Sequence, residues 1–475
     1  MKKIALTIML LASISLLAVV KAQAGEVDVL IFKLVEKGVL SPAEAQIIVD
    51  ETKMQVSKDL AQGKSLSVPD WTQRIKWGGD VRFRTQGDWG KGNRPTGSTP
   101  PTILNQRIRN RVRGRFYMEG KVNDFTYAGV RFAGGANGSR STNDTLGATS
   151  GTSANYFQKA PAYFDQYYIR FEAPSEVVRD YGQFFSDAKL LFGRFAIPFE
   201  TSELMWDTDI NPAGIAVQYV SPDIKTGMLP DMNVYSNLGM FWLDESGTYN
   251  DDPILWGYQV GVKTDVFGPL GSVVNVATSW YDFANMQGKN ATPSASSANT
   301  NTRNWLPDGT YNRGAYRYAY NVFDLLINID NSKVMDFDFP HGFYADFAYN
   351  PSAPAENQGT LVGAYIGKKK LKMPGDWKAR AEWRYIERDA VPDFMPDSDF
   401  YGFGTWASTT SALDAGNNGL PVEGGTNGKG INLALDYQLL KNTTVSLEYY
   451  WMKPIKSWDK TQPWNECQFD IVTKF

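Results

Sequence analysis

The sequence predicts an all-β fold, a transmembrane antiparallel β-barrel of about sixteen strands preceded by a short N-terminal helical hairpin. Three observations predict it. Arg107, Arg109, Arg111, Arg113 and Arg115 occupy every second position of one segment. Long and short links between extended segments alternate along the chain. The final segment alternates apolar and polar residues and ends in Phe475.

The arginine row is the sharpest of these. Successive side chains of an extended chain point to opposite faces, so all five guanidinium groups share one side. Neighbouring members are then about 6.8 Å apart and repel by roughly 0.6 kcal/mol even in water. Such a row needs water or facing carboxylates. The interleaved Ile108, Asn110, Val112, Gly114 and Phe116 make a mostly apolar opposite face. A strand with one charged side and one apolar side suits a water-filled barrel in lipid. By itself it also suits the solvent face of a soluble sheet.

The chain opens with Lys2 and Lys3, an apolar run from Ile4 to Val20, and Ala22-Gln23-Ala24 before Gly25. This is the layout of a cleaved secretory signal peptide over residues 1–24 and implies export, which together with the barrel pattern leads to an expected place in the cell outer membrane. Its removal takes away three lysines and shifts the formal charge from −3 to −6. Residues 74–115 nevertheless hold eleven Lys and Arg against Asp80 and Asp88. Export and the lack of a nucleic-acid fold motif argue against a nucleic-acid partner.

No further run of about eighteen apolar residues occurs, so no transmembrane helix is expected. Cys467 is the one cysteine, which rules out internal disulfides and cysteine-cluster metal sites. His341 is the one histidine and lies in a Phe-Pro-His-Gly stretch read as a turn. A hydrolase built on His341 is therefore disfavoured. No catalytic residue, metal or cofactor is expected. The 14 Trp and 24 Tyr suit the aromatic girdles of a membrane barrel.

Residues 25–70 read as a periplasmic helical segment and linker. Val29, Leu30, Phe32, Leu34 and Val35 recur at helical spacing up to Gly38. Ser41-Pro42-Ala43-Glu44 then supplies an N-cap, a first-turn proline and a capping-box glutamate for a second helix. The apolar stripe suits pairing with a copy of itself or docking on the barrel. Gly63–Asp70 reads as the linker.

From residue 71 to 475 sixteen extended segments follow, near 75–89, 105–119, 124–133, 163–173, 189–198, 214–221, 232–244, 255–266, 272–283, 318–330, 343–350, 359–370, 376–388, 429–440, 442–453 and 467–475. Links after odd segments tend to be long and links after even ones short, as in outer-membrane barrels. The links 174–188 and 331–342 are long for turns. A terminal Phe on an alternating strand resembles the signal read by the barrel assembly machinery.

Arginine at the lipid midplane costs roughly 2–4 kcal/mol, so five of them facing lipid would cancel a domain's stability. The row is therefore expected to line the lumen. By parity Arg82, Arg84 and Arg170 join it, with Arg131 and Arg194 as extensions. The 199–213 link carries Glu200, Glu203, Asp207 and Asp209, the candidate constriction acids. The acids Glu387, Asp389, Asp393, Asp397 and Asp399 of a later loop read as solvated charge rather than a divalent-cation site near lipopolysaccharide.

The stretches Lys189–Glu200 (KLLFGRFAIPFE) and Lys33–Ala45 (KLVEKGVLSPAEA), with Phe475, resemble a family of bacterial outer-membrane porins that carry a short helical segment before the barrel. The resemblance to phosphate-selective and general diffusion porins is more distant. In general porins the loop after the fifth strand folds into the pore opposite an arginine cluster, and 199–213 looks like that loop. The resemblance implies passive diffusion of small hydrophilic solutes or anions, outer-membrane lipid and lipopolysaccharide as surroundings, and a homotrimer. A non-conducting scaffold barrel that sheathes or anchors a partner protein stays open as the alternative.

Overall fold

The structure is a computed structural model. It describes scattered positions between 35 and 54, then residues 74–90, 106–135, 141–147, 159–225, 227, 231–245, 247, 251–266, 271–289, 300–303, 315–334, 337–403, 421–422, 424–456 and 463–475. The expected signal peptide and the linker Gly63–Asp70 lie outside the described residues.

The chain divides into Met1–Arg74 and Ile75–Phe475. In the first unit, residues 44–51 are helical. Ser41 and Glu44 form the expected capping box: Ser41 N donates to Glu44 Oε2 at 2.9 Å, and Glu44 N donates to Ser41 Oγ at 3.3 Å. These bonds hold the Glu44 carboxyl below its usual range. Most of the expected first helix lies outside the described residues.

The second unit is a closed antiparallel barrel of sixteen strands. They are β1 (Ile75–Gly90), β2 (Arg107–Lys121), β3 (Thr126–Gly134), β4 (Ala162–Glu172), β5 (Asp187–Arg194), β6 (Ala213–Val220), β7 (Met232–Trp242) and β8 (Ile254–Val266). They continue as β9 (Ser272–Ala284), β10 (Asn321–Val334), β11 (Phe337–Tyr349), β12 (Gln358–Gly367), β13 (Trp377–Ile386), β14 (Gly428–Leu440), β15 (Thr443–Pro454) and β16 (Trp464–Lys474). Each strand pairs with its neighbour in sequence, and β16 pairs with β1 to close the sheet. Closure satisfies every edge, which a sheet in lipid requires. At the seam, Gly79 and Phe475 exchange two backbone bonds of 3.0 Å. A Cβ on Gly79 would lie 2.6 Å from the Phe475 ring and 2.3 Å from Arg115 O, so only glycine admits the terminal residue there.

The two-residue period holds around the wall. Asp80, Arg82, Arg84, Gln86 and Asp88 are buried along one face of β1, while Val81 and Phe83 are exposed on the other. In β13, Glu382 and Arg384 are buried and Trp377 and Trp383 exposed. The outward Asn110 is met by Thr85, whose Oγ1 donates to Asn110 Oδ1 at 3.0 Å.

Two sequence readings are corrected. The 331–342 segment is not a long turn, because β10 runs to Val334 and β11 begins at Phe337. His341 therefore sits within a strand, its Nδ1 2.9 Å from Phe339 O and its Nε2 3.2 Å from Asn331 Nδ2. The 174–188 link is long because it contains a helix, α1 (Ser175–Tyr181). The fifth strand also stops at Arg194 rather than 198. Gly193 there has φ +115°, and a Cβ would stand 2.4 Å from Tyr167 O.

An apolar core lies at the end of the barrel that bears the long links. Phe195, Phe199, Leu204, Met205 and Trp206 pack with Phe241, Leu255 and Tyr281 of the wall and with Phe394, Met395 and Phe400 of the loop after β13. The Trp206 ring lies 5.9 Å from those of Phe199 and Tyr281 and 6.2 Å from Phe241. Each large side chain so buried contributes roughly 1.5–3 kcal/mol, which holds two otherwise hydrophilic loops inside the barrel.

Candidate pore lining and inner loops

The register of β1 and β2 sets Asp80 opposite Arg115, Arg82 opposite Arg113, Arg84 opposite Arg111, Gln86 opposite Arg109 and Asp88 opposite Arg107. Side chains directly across an antiparallel pair lie close enough to interact. The two strands together present seven arginines on one inner face, and each meets an acid or an amide. Asp80 accepts from Arg113 Nη2 at 2.9 Å and from Arg115 Nε at 2.8 Å. Asp88 accepts from Arg109 Nη2 at 3.0 Å and lies 3.6 Å from Arg107. Arg111 Nη1 donates to Gln86 Oε1 at 3.0 Å, and Arg82 Nη2 donates to Asn143 Oδ1 at 2.5 Å.

Across the seam, Arg84 donates from Nε and Nη2 to the two oxygens of Asp470 at 2.8 and 2.9 Å, and from Nη1 to Asp399 Oδ2 at 2.9 Å. The seven arginines thus meet acids from three parts of the chain: Asp80 and Asp88 of β1, Asp470 of β16 and Asp399 of the loop after β13. Two of these acids, Asp399 and Asp470, come from segments distant in the chain.

Arg170 lies away from this group. It pairs with Glu119 at 3.0 Å and Glu172 at 3.0 Å, its guanidinium 4.6 Å from the Tyr127 ring centre. Arg131 pairs with Asp165 at 2.5 Å, and Arg194 is exposed at the end of β5.

The four acids of 199–213 take separate places. Glu200 is held through its backbone: its N donates to Gln259 Oε1 at 2.9 Å and its O accepts from Gln259 Nε2 at 2.6 Å. Glu203 meets Arg384 at 2.6 Å, on the wall rather than the ladder. Asp207 is buried and accepts from the backbone N of Asp209 at 2.8 Å and of Ser398 at 3.1 Å. Asp209 feels the ladder, through Arg113, Arg82 and Arg115. Burial pushes its carboxyl above the usual range, with help from Asp399, and the arginines counter this only in part.

The later acidic stretch is corrected from solvated charge to an inner loop. Asp389, Asp393 and Asp397 are buried. Asp389 accepts from Tyr320 Oη at 2.9 Å and Thr302 Oγ1 at 2.6 Å. Asp393 accepts from Arg303 Nη2 at 2.5 Å and Tyr316 Oη at 2.8 Å. Asp397, pushed well above its usual range by burial and by Glu203, accepts from Arg384 Nη1 at 2.6 Å. Burial also raises the Asp399 carboxyl, but Arg84 outweighs it and holds it at about 2. Apolar neighbours Val391, Phe394, Met395 and Phe400 draw the segment inward, a signal the charge count masked.

The two inner loops are joined directly. Asp207 N donates to Met395 O at 2.7 Å, and Asp397 N donates to Glu203 O at 3.1 Å. Arg384, fully buried, ties both to the wall through Glu203, Asp397 and Glu382. The alternation along β13 puts Lys378, Arg380, Glu382 and Arg384 on one face, but nothing local marks Arg384 as the hub of two loops.

A family model described as "putative porin" matches residues 46–321 and 314–409. The chain belongs to this porin family. No curated protein matches it. Solved structures similar to this porin include Pseudomonas putida OprB, at 9% identity and TM-score 0.47 over 88% of this chain and 97% of that chain. Salmonella typhi OmpF is similar at 10% identity and TM-score 0.42, over 84% and 97% of the two chains. The outer membrane channel DcaP of Acinetobacter baumannii is similar at 11% and 0.39, over the same shares. Family and fold make the porin an outer-membrane channel for diffusion of small solutes rather than an enzyme.

Proposed function

We propose that the porin passes small hydrophilic solutes and ions through a lumen lined by Arg82, Arg84, Arg107, Arg109, Arg111, Arg113 and Arg115, and narrowed by the loops 199–213 and 387–403. The carrying observation is the row of seven arginines on one inner face of β1 and β2, with Asp80, Asp88, Asp399 and Asp470 set among them. Seven guanidinium groups on one wall, with Asp209 and Asp399 facing them, favour anions and leave a field across the passage. Arg170, paired with Glu119, lines a separate part of the wall and adds little to selection. The short-link end with Phe475 is the periplasmic end in this reading.

The same reading includes cleavage after residue 24, insertion by the barrel assembly machinery, and a homotrimer in the lipopolysaccharide-bearing membrane. The test is single-channel recording of the refolded protein in planar bilayers under a salt gradient. Steady conductance with an anion-directed reversal potential is expected. Replacing Arg109, Arg111 and Arg113 by Ser should move the potential toward cations. An unchanged potential would reject the ladder's role.

A further inference from the structure

The wall beneath the first inner loop holds two acids that no cation answers. Asp324 of β10 and Asp346 of β11 are 0% and 1% exposed. Asp324 pairs in register with Ala348 and Asp346 with Leu326, so the acids are diagonal neighbours on one inner face. Asp346 Oδ2 accepts from Ser202 Oγ at 2.6 Å. Its Oδ1 and both oxygens of Asp324 meet no donor among the described residues. The two carboxyl groups are within hydrogen-bond reach of each other. As carboxylates both only accept, and a single proton turns one of them into a donor.

None of the elements packed against the pair brings it a cation among the described residues. On β9, Ser279 lies opposite Asp324 and accepts from Gln259 Nε2 at 2.9 Å, and the buried Tyr281 Oη has no partner there. On β11, Tyr344 donates to Glu382. On β12, Leu361 stands in register between Asp346 and Arg384, and Arg384 is taken by Glu203, Asp397 and Glu382. The inner loop adds Ser202, the acids Glu200 and Glu203, and the Trp206 indole, whose buried Nε1 has no partner. The loop after β13 adds the apolar Ala390 and Val391. Two carboxylates side by side and away from water repel, and one proton held between them removes that cost.

The pair also carries the loop. Ser202 Oγ accepts from Leu204 N at 3.1 Å, and Ser202 O accepts from Trp206 N at 3.1 Å. This is the turn that delivers Leu204 and Trp206 to the apolar core. We propose that Asp324 and Asp346 share one proton, and that the pair is a pH-sensitive latch of the first inner loop. The inference rests on the porin conducting through a passage narrowed by 199–213. With the proton in place, one acid donates to the other and Asp346 keeps Ser202. Loss of the proton in alkali leaves two buried charges, draws water beneath the loop and widens the passage.

The test records the full refolded chain in planar bilayers from about pH 6 to about pH 10. Single-channel conductance in chloride should stay level through neutral pH and rise in one step in alkali. Asp324→Asn keeps a donor beside Asp346 without a titrating proton, so the step should be lost, and Asp346→Asn should lose it too. Tyr281→Phe should keep the step, which separates the pair from tyrosine ionisation. Infrared difference spectra of wild type and Asp324→Asn at neutral pH need no conductance, and should show one carboxylic-acid carbonyl band missing from the variant. Heat-modifiable gel mobility checks that each barrel is intact. An equal step in wild type and Asp324→Asn overturns the latch, and absence of the infrared band overturns the shared proton. A step moved by calcium or a chelator at fixed pH assigns the neutralising charge to a metal ion and likewise overturns it. A folded wild type that shows the band but never conducts overturns the channel reading, and the latch with it, while supporting the shared proton.

Discussion

Arg84 and Asp470 form a two-bond guanidinium–carboxylate pair, at 2.8 and 2.9 Å, that joins the first barrel strand to the last. The two side chains are 5% and 11% exposed, so water screens the pair little. The ladder's charge balance and the closure of the sheet thus share one contact.

Asp470→Asn breaks that pair and leaves the buried Arg84 with Asp399 alone. Removing one partner of a buried pair costs about 3 kcal/mol or more. The expected result is a lower unfolding midpoint, measured by heat-modifiable gel mobility and by the loss of β-sheet circular dichroism on heating.

Acidification should strengthen anion preference. Burial raises the Asp209 carboxyl, so Asp209 takes up a proton above the ordinary aspartate range of about 3.9. Asp399, held at about 2 by Arg84, keeps its charge through the same window. The signs for stability are opposite. Protonating Asp209 relieves a buried charge, while the Asp399 contribution, present above its unfolded value, is lost only toward pH 2. Reversal potentials measured between about pH 7 and pH 4 should move toward anions. Asp209→Asn should flatten that dependence.

Arg384→Gln should loosen both inner loops at once. Its guanidinium contacts Glu203, Asp397 and Glu382, all of which lose this cation in the variant. Larger and noisier single-channel conductance is the expected outcome. Because Glu203 and Arg384 act as a unit, the double variant Glu203→Gln/Arg384→Gln should change conductance by less than the sum of the single variants. Additive effects would show that the loops are held elsewhere.

Trp206→Ala should widen the passage and weaken the fold together. Trp206 is 1% exposed among Phe199, Phe241 and Tyr281, and truncating a buried tryptophan costs about 3–5 kcal/mol. Thermal unfolding and conductance of the same preparation check both effects. A stable variant of unchanged conductance would remove Trp206 from the loop's anchorage.

Sixteen strands, their order and the face each presents follow from local pattern. A two-residue period, turn residues and link lengths act over a few positions, which a linear sequence displays directly. The readings that failed were also local in cause. Phe339-Pro340-His341-Gly342 looked like a turn because proline and glycine punctuate it, yet backbone pairing with Asn331 and Ile366 keeps His341 in a strand.

The sequence by itself determined that Arg107 to Arg115 share one side of a strand and cannot face lipid. Only the tertiary structure decided what meets them: Asp80 and Asp88 from the preceding strand, Asp470 from the last and Asp399 from a distant loop. It likewise decided that Glu203 turns to Arg384 and that the acids from Asp389 to Asp399 lie inside. The physical reason is range. Side-chain direction is fixed by backbone geometry one residue at a time, whereas charge pairing depends on which segments sheet closure and loop burial bring within about 3 Å of one another.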